Sequence, residues 1–276
     1  MGLAGVTTSG GGRSGHLLCL VPEAPDPPEC GPLMPGLFRQ FRRGRLARRP
    51  FPPEWLAYLE ARVPFFATLS ASLREDFLAK LKVFAWEKEF IGAGGLVITD
   101  EIRVVVSATA VQLVVHLDLS YYDRLREVIV YPDAFLLPDR TGVVLGEAKN
   151  WGTVILSWQA VLSGLRNPED GHDTATHEFA HVLDRADGAF DGTPKLRRYS
   201  HYRAWAEVMS EHFHGLQAGR AVEREVLDDY GGLNEAEFFA VATESFFERP
   251  RRMRELTPDL YEELRRFYGW DPASGT

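Results

Sequence analysis

The stretch Thr174-Ala-Thr-His177-Glu178-Phe-Ala-His181-Val-Leu-Asp184 constrains this chain more than any other. Two histidines four residues apart share a face when the backbone is helical, one imidazole a turn above the other. On such a face both rings reach a single tetrahedral Zn²⁺ at about 2.0–2.1 Å. Glu178 lies to one side, placed to hold a metal-bound water without ligating the ion, which is the H-E-x-x-H arrangement of zinc hydrolases. The competing reading is an ordinary amphipathic helix whose histidines are surface or core residues. Context favours the metal: Asp173 is placed to N-cap the helix, and Phe179, Val182 and Leu183 to pack it.

At 276 residues, 45% hydrophobic and 25% charged, the chain can bury one large core or two small ones. It has no run of 18 uninterrupted apolar residues, so no membrane span is expected. Leu17 to Val21 is too short for a signal peptide and lacks a charged segment before it, which predicts a cytoplasmic location. Cys19 and Cys30, the only cysteines, rule out a disulfide framework and fit a reducing compartment. A formal charge of −8 argues against direct nucleic-acid binding.

Residues 1–36 are rich in Gly, Pro and Ser and read as a disordered leader, with Met34 as an alternative start. Six arginines follow between Arg39 and Arg49. They read either as an arm for an anionic surface or, preferably, as a solvated basic segment lying on an acidic body. Helical signals come next. Pro52 and Pro53 open a first helix, and Ser72-x-x-Glu75 has capping-box spacing ahead of Leu73, Phe77, Leu81 and Phe84. After glycines at 92, 94 and 95, Ile102 to Leu117 recurs at helical intervals. Short β-branched segments at Val128–Tyr131, Val143–Glu147 and Thr153–Ser157 predict strands of a small sheet. That sheet either supports the metal helix or offers an edge to an extended peptide, and the residues favour neither. Helices are expected from Ser157, from about Ser200 to Phe213, from Asn234 to about Phe247, and from Pro258 to Tyr268. His172, His201, His212 and His214 lie outside ligand spacing and read as surface residues.

A catalytic zinc takes a third protein ligand and keeps its fourth position for water. Glu237 and Glu244 are two turns apart on one helix face, and Phe238 and Phe239 beside Glu237 imply a partly buried carboxylate. On spacing alone Glu237 is as much a capping-box partner of Asn234 as a metal ligand.

The segment His177 to Asp184, taken with Tyr230-Gly-Gly-Leu-Asn-Glu-Ala-Glu237-Phe-Phe-Ala, resembles the Mlc titration factor A family of bacterial zinc-dependent peptidases. The likeness runs from about Leu37 to Asp271 and includes Ile98-Thr-Asp-Glu-Ile-Arg103 and Val144-Leu-Gly-Glu147. The tyrosine and the glutamate seven residues later also look like the catalytic domain of anthrax lethal factor. The resemblance implies a gluzincin-like site: one Zn²⁺ on His177, His181 and Glu237, Glu178 as general base, and Tyr230 as active-site tyrosine. Glu244 then becomes a candidate for orienting a ligand imidazole. The implied chemistry is metal-assisted hydrolysis of peptide or protein substrates, as an aminopeptidase or an endopeptidase. The family also implies a partner, a transcriptional repressor of the Mlc type, so a regulatory binding protein with vestigial activity is the alternative.

The expected architecture is α+β: a leader and basic arm over 1–50, a helical domain over 51–118, and a zincin-like catalytic domain over 119–276. The last should hold a small mixed sheet and the H-E-x-x-H helix.

Overall fold

The computed structural model describes residues 34–136, 143–144, 146–149 and 152–274, with side chains for 36–134 and 152–274. The chain divides into two units, residues 1–39 and 40–276. The leader predicted over 1–36 lies outside the described residues up to residue 33. From Met34 to Ala47 the backbone is a helix, α1, so the arm predicted within 1–50 has regular structure. In its second half Leu46 is buried, and Arg43 pairs with Glu87 at 2.6 Å and Asp123 at 2.8 Å.

Helices α2 (Pro53–Arg62), α3 (Ala71–Glu87) and α4 (Asp100–Leu113) follow. The cap of α3 is Ser70, whose hydroxyl accepts the N–H of Leu73, and not the Ser72 that the capping-box spacing suggested. Between α3 and α4 lies a strand that the sequence did not announce, β1 (Glu89–Gly92). It ends where a Cβ on Gly92 would collide with the carbonyl of Leu96, so the tight turn requires glycine there.

Next come β2 (Glu127–Tyr131), β3 (Phe135–Leu136), β4 (Val143–Val144), β5 (Gly146–Lys149) and β6 (Thr153–Ser157). The strand expected over Val143–Glu147 is thus two: β4 pairs with β3, while β5 joins the main sheet. That sheet has the order β1-β2-β6-β5, with the first three strands parallel and β5 antiparallel to β6. Val128, Val130, Val154 and Leu156 are fully buried, and α4 makes the crossover that two parallel neighbours require.

The second half is helical: α5 (Trp158–Arg166), α6 (Thr174–Asp184), α7 (His201–Gln217), α8 (Ala221–Val226), α9 (Glu235–Glu248), α10 (Pro250–Leu256) and α11 (Pro258–Tyr268). The molecule is α+β, as expected. Its core, however, runs through the boundary predicted between residues 118 and 119. Phe179 of α6 stands edge-on to Phe84 of α3 and to Tyr122, each at 5.9 Å between ring centres. The sheet likewise takes β1 from before that boundary and its other strands from after it.

Candidate metal centre

Helix α6 starts at Asp173, whose carboxylate accepts the N–H groups of Ala175 and Thr176 and the hydroxyl of Thr176. This cap satisfies donors that a buried helix start would otherwise leave unpaired. Helix α9 lies against α6 and opens with Asn234, whose side chain accepts the N–H of Glu237 at 3.0 Å. Glu237 is therefore in the capping-box position, and its side chain turns towards α6.

Three donor atoms meet there. His177 Nε2 is 2.9 Å from Glu237 Oε2, His181 Nε2 is 3.2 Å from the same oxygen, and the two nitrogens are 3.1 Å apart. Donors about 2.0–2.1 Å from a tetrahedral zinc are separated by about 3.3 Å, so the triangle is close to one face of such a tetrahedron. Two imidazoles and a carboxylate also suit that ion chemically. Among the described residues this is the one group of three or more His, Cys, Asp or Glu side chains with this convergence.

The second nitrogen of each histidine is treated differently. His177 Nδ1 lies 2.6 Å from Glu244 Oε1, one turn pair further along α9. The other oxygen of Glu244 accepts the N–H of Asp173 at 2.9 Å. His181 Nδ1 is buried and has no hydrogen-bond partner among the described residues. Phe190 covers that ring from the side at 5.2 Å, with the Arg185 guanidinium 3.8 Å above the phenyl.

Electrostatics follow this geometry. Burial opposes a charge on His177, but hydrogen bonds to Glu237 and Glu244 overcome it and raise its pKa to about 10 without a metal. Burial likewise opposes ionisation of Glu237, yet its hydrogen bonds with His177 and His181 hold it down at about 2. Burial dominates for His181, which is lowered, and for Glu244, which is raised. In the metal-free centre His177 thus holds a proton beside an ionised Glu237, while burial works against charge on His181 and on Glu244.

Glu178 is buried on the same helix. Tyr230 sits on a 3₁₀ turn, Asp229–Gly232, begun by Asp228, whose carboxylate accepts the Tyr230 N–H. Its ring is half exposed and 5.9 Å from that of His177. All six residues singled out from the sequence therefore lie on α6, on α9 or on the turn before α9.

Other residues at the site gave no such signal. Asp184 is fully buried and accepts the N–H of Gly192 at 3.1 Å, tying the 188–193 loop to the end of α6. Gly192 has φ +75°, and a Cβ there would strike the Glu235 carbonyl, so this loop packs directly on the start of α9. Phe190 rides on that loop. One expectation fails outright: His212 is buried, with Nδ1 3.1 Å from Glu223 and Nε2 3.0 Å from Asp259. It joins α7, α8 and α11, a pairing invisible without the tertiary fold.

Comparison with known proteins bears on all of this. The chain is 38% identical over 247 residues to an uncharacterized protein of Synechocystis sp., covering 84% of this chain and 89% of that one. It is 28% identical over 233 residues to the Mlc titration factor A of Pectobacterium atrosepticum, covering 77% and 84% of the two chains. The Yersinia pestis protein of the same name is 25% identical over 227 residues, covering 77% and 83%. The pattern of the glucose-regulated metallo-peptidase M90 family matches residues 38–269, a span that holds the whole centre and most of the core. The chain belongs to that family.

Proposed function

We propose that this protein is a cytoplasmic zinc-dependent peptidase with one Zn²⁺ on His177, His181 and Glu237. The observation that carries the reading is the near-tetrahedral triangle of donors, two of them on the helix that also bears the buried Glu178 and the third on α9. A divalent ion held there would supply an acidified water and Lewis-acid polarisation of an amide carbonyl. Glu178 takes the proton of the attacking water and delivers it to the leaving amine. The Tyr230 hydroxyl donates to the carbonyl oxygen as it gains charge, a contact strongest in the transition state. Glu244 keeps His177 with Nδ1 engaged, which leaves Nε2, beside Glu237, as the nitrogen that would hold the ion. Strand β5 has one partner among the described strands, β6, so its other edge offers main-chain groups to an extended peptide.

The test is a peptide-library digest by the purified chain, metal-stripped and then reloaded with zinc. Cleavage is expected in the reloaded sample and not in the stripped one. A zinc-loaded chain that cuts no peptide would contradict the reading.

A second reading has one observation in its favour: two of the similar proteins are named Mlc titration factor A. Here the chain binds a transcriptional repressor, and peptide hydrolysis is secondary. Repressor affinity should then be indifferent to Glu178→Gln, a change that removes the base but no surface.

A further inference from the structure

Helix α1 has one face that packing uses and one that it does not. Successive residues of a helix are turned by about 100°. Arg43 and Leu46 therefore lie on one side of α1, and Leu37, Phe38 and Phe41 form a stripe on the other. The first side is engaged: Arg43 pairs with Glu87 and Asp123, and Leu46 is buried. The second is open to solvent, with Leu37 65%, Phe38 73% and Phe41 72% exposed. Single apolar side chains on a surface are ordinary, but three on adjoining turns of one helix mark an interaction face.

The charge around this stripe says what it fits. Residues 34–53 hold six arginines and no acidic side chain, in a chain whose net charge is −8. Arg42 flanks the stripe and Arg45 continues it one turn beyond Phe41, both exposed. Arginine stems are long enough to keep the guanidinium at the level of lipid headgroups while neighbouring rings go deeper. A second copy of the chain on this face would bring two arginine clusters together. Duplex DNA would satisfy the arginines and leave the phenyl rings in water. An anionic lipid surface takes both the charge and the rings. At 14 residues α1 is about 21 Å long and rich in charge, so it suits lying in the interface and not crossing it.

We propose that α1 docks this protein on an anionic lipid surface. Leu37, Phe38 and Phe41 enter the headgroup region, and Arg42 and Arg45 pair with the lipid phosphates. Nothing in this depends on peptide hydrolysis.

The experiment is co-sedimentation of the full-length, zinc-loaded protein with vesicles. One set is phosphatidylcholine alone, and the other is phosphatidylcholine mixed with phosphatidylserine. The mixed vesicles should bind at least about tenfold more tightly, the size expected of a few arginines at a charged surface. Phe38→Ser combined with Phe41→Ser should weaken that binding at least about tenfold, through lost apolar burial. Arg42→Gln combined with Arg45→Gln should weaken it about tenfold as well. All four side chains have a large exposed fraction or an exposed class, so melting temperatures should match the parent's. If one pair lowers the melting temperature, the other pair carries the test. The proposal is overturned if the mixed vesicles are not bound, if both sets bind alike, or if a pair with the parent's melting temperature binds as the parent does. It is equally overturned if duplex DNA binds more tightly than the mixed vesicles, or if the parent is a dimer that the serine pair dissociates.

Discussion

His177 Nδ1 lies 2.6 Å from Glu244 Oε1, and the second oxygen of that carboxylate accepts the N–H of Asp173. One side chain of α9 therefore fixes both the start of α6 and the ring of its first histidine. Removing it leaves the three converging donors in place but frees the ring to turn. Loss of such a partner typically costs about 10–100-fold in metal affinity. Glu244→Ala should accordingly bind zinc about 10–100-fold more weakly in competition with a chelator. Glu237→Ala should lose stoichiometric zinc. The reverse order would make Glu244 the ligand and Glu237 a helix cap.

Metal uptake should release a proton. With the His177 pKa raised to about 10 and that of Glu237 held at about 2, the metal-free pair at pH 7 carries one proton on His177. An ion on Nε2 must displace it, so uptake at pH 7 should release about one proton. Calorimetry in buffers of different ionisation enthalpy measures this directly. Apparent affinity should fall as pH is lowered. The stabilisation that His177 gains from its carboxylates runs the other way: it is full below about 6.5 and is lost as pH rises through about 10.

Asp184 gives a different pH dependence. Burial raises its pKa from 3.8 to about 7. Between those values the unfolded chain gives up the proton and the folded one keeps it, so this group destabilises the fold progressively as pH rises from about 4 to 7. Asp184→Asn cannot ionise and can still accept the Gly192 N–H. Its melting temperature relative to the parent, both metal-free, should climb across that window and level off above it. A difference that is flat with pH would show that Asp184 is already ionised in the folded chain.

Phe179 joins the front helices to the site helix through Phe84 and Tyr122. Phe179→Ala should cost about 3–5 kcal/mol, the usual range for emptying a buried phenyl site. Because the core is continuous, chemical denaturation should show one transition moved to lower denaturant. Two separate transitions, one unmoved, would mark residues 51–118 as an independent domain.

What could be read from sequence was whatever depended on local spacing. The α6 histidines, the Asp173 and Asn234 caps, and the Gly269 stop of α11 each need only neighbours within a turn or two. Glu237 and Glu244 could be placed on one face, but their division of labour depends on where α6 lies, which spacing does not carry. Strand β1 is four residues ending in glycine, too short for a period to show, and its pairing with β2 crosses 38 positions from Glu89 to Glu127. His212 looked like a surface residue because its partners, Glu223 and Asp259, arrive on two later helices. Phe190 had no signal either, being a lone aromatic between two Asp-Gly pairs that read as turns. Ser70 displaced Ser72 as the cap of α3 by two residues, within the usual ambiguity of helix starts.

The central claim concerns Glu178, and the most direct measurement is the turnover of Glu178→Gln. The change keeps the size of the side chain and leaves His177, His181 and Glu237 untouched, but removes the ability to take the water proton. General-base catalysis contributes typically about 10²–10⁴-fold. Peptide turnover by the zinc-loaded variant should fall by at least that factor, with zinc content and melting temperature near those of the parent. A variant that holds zinc and cuts peptides as fast as the parent would contradict the mechanism.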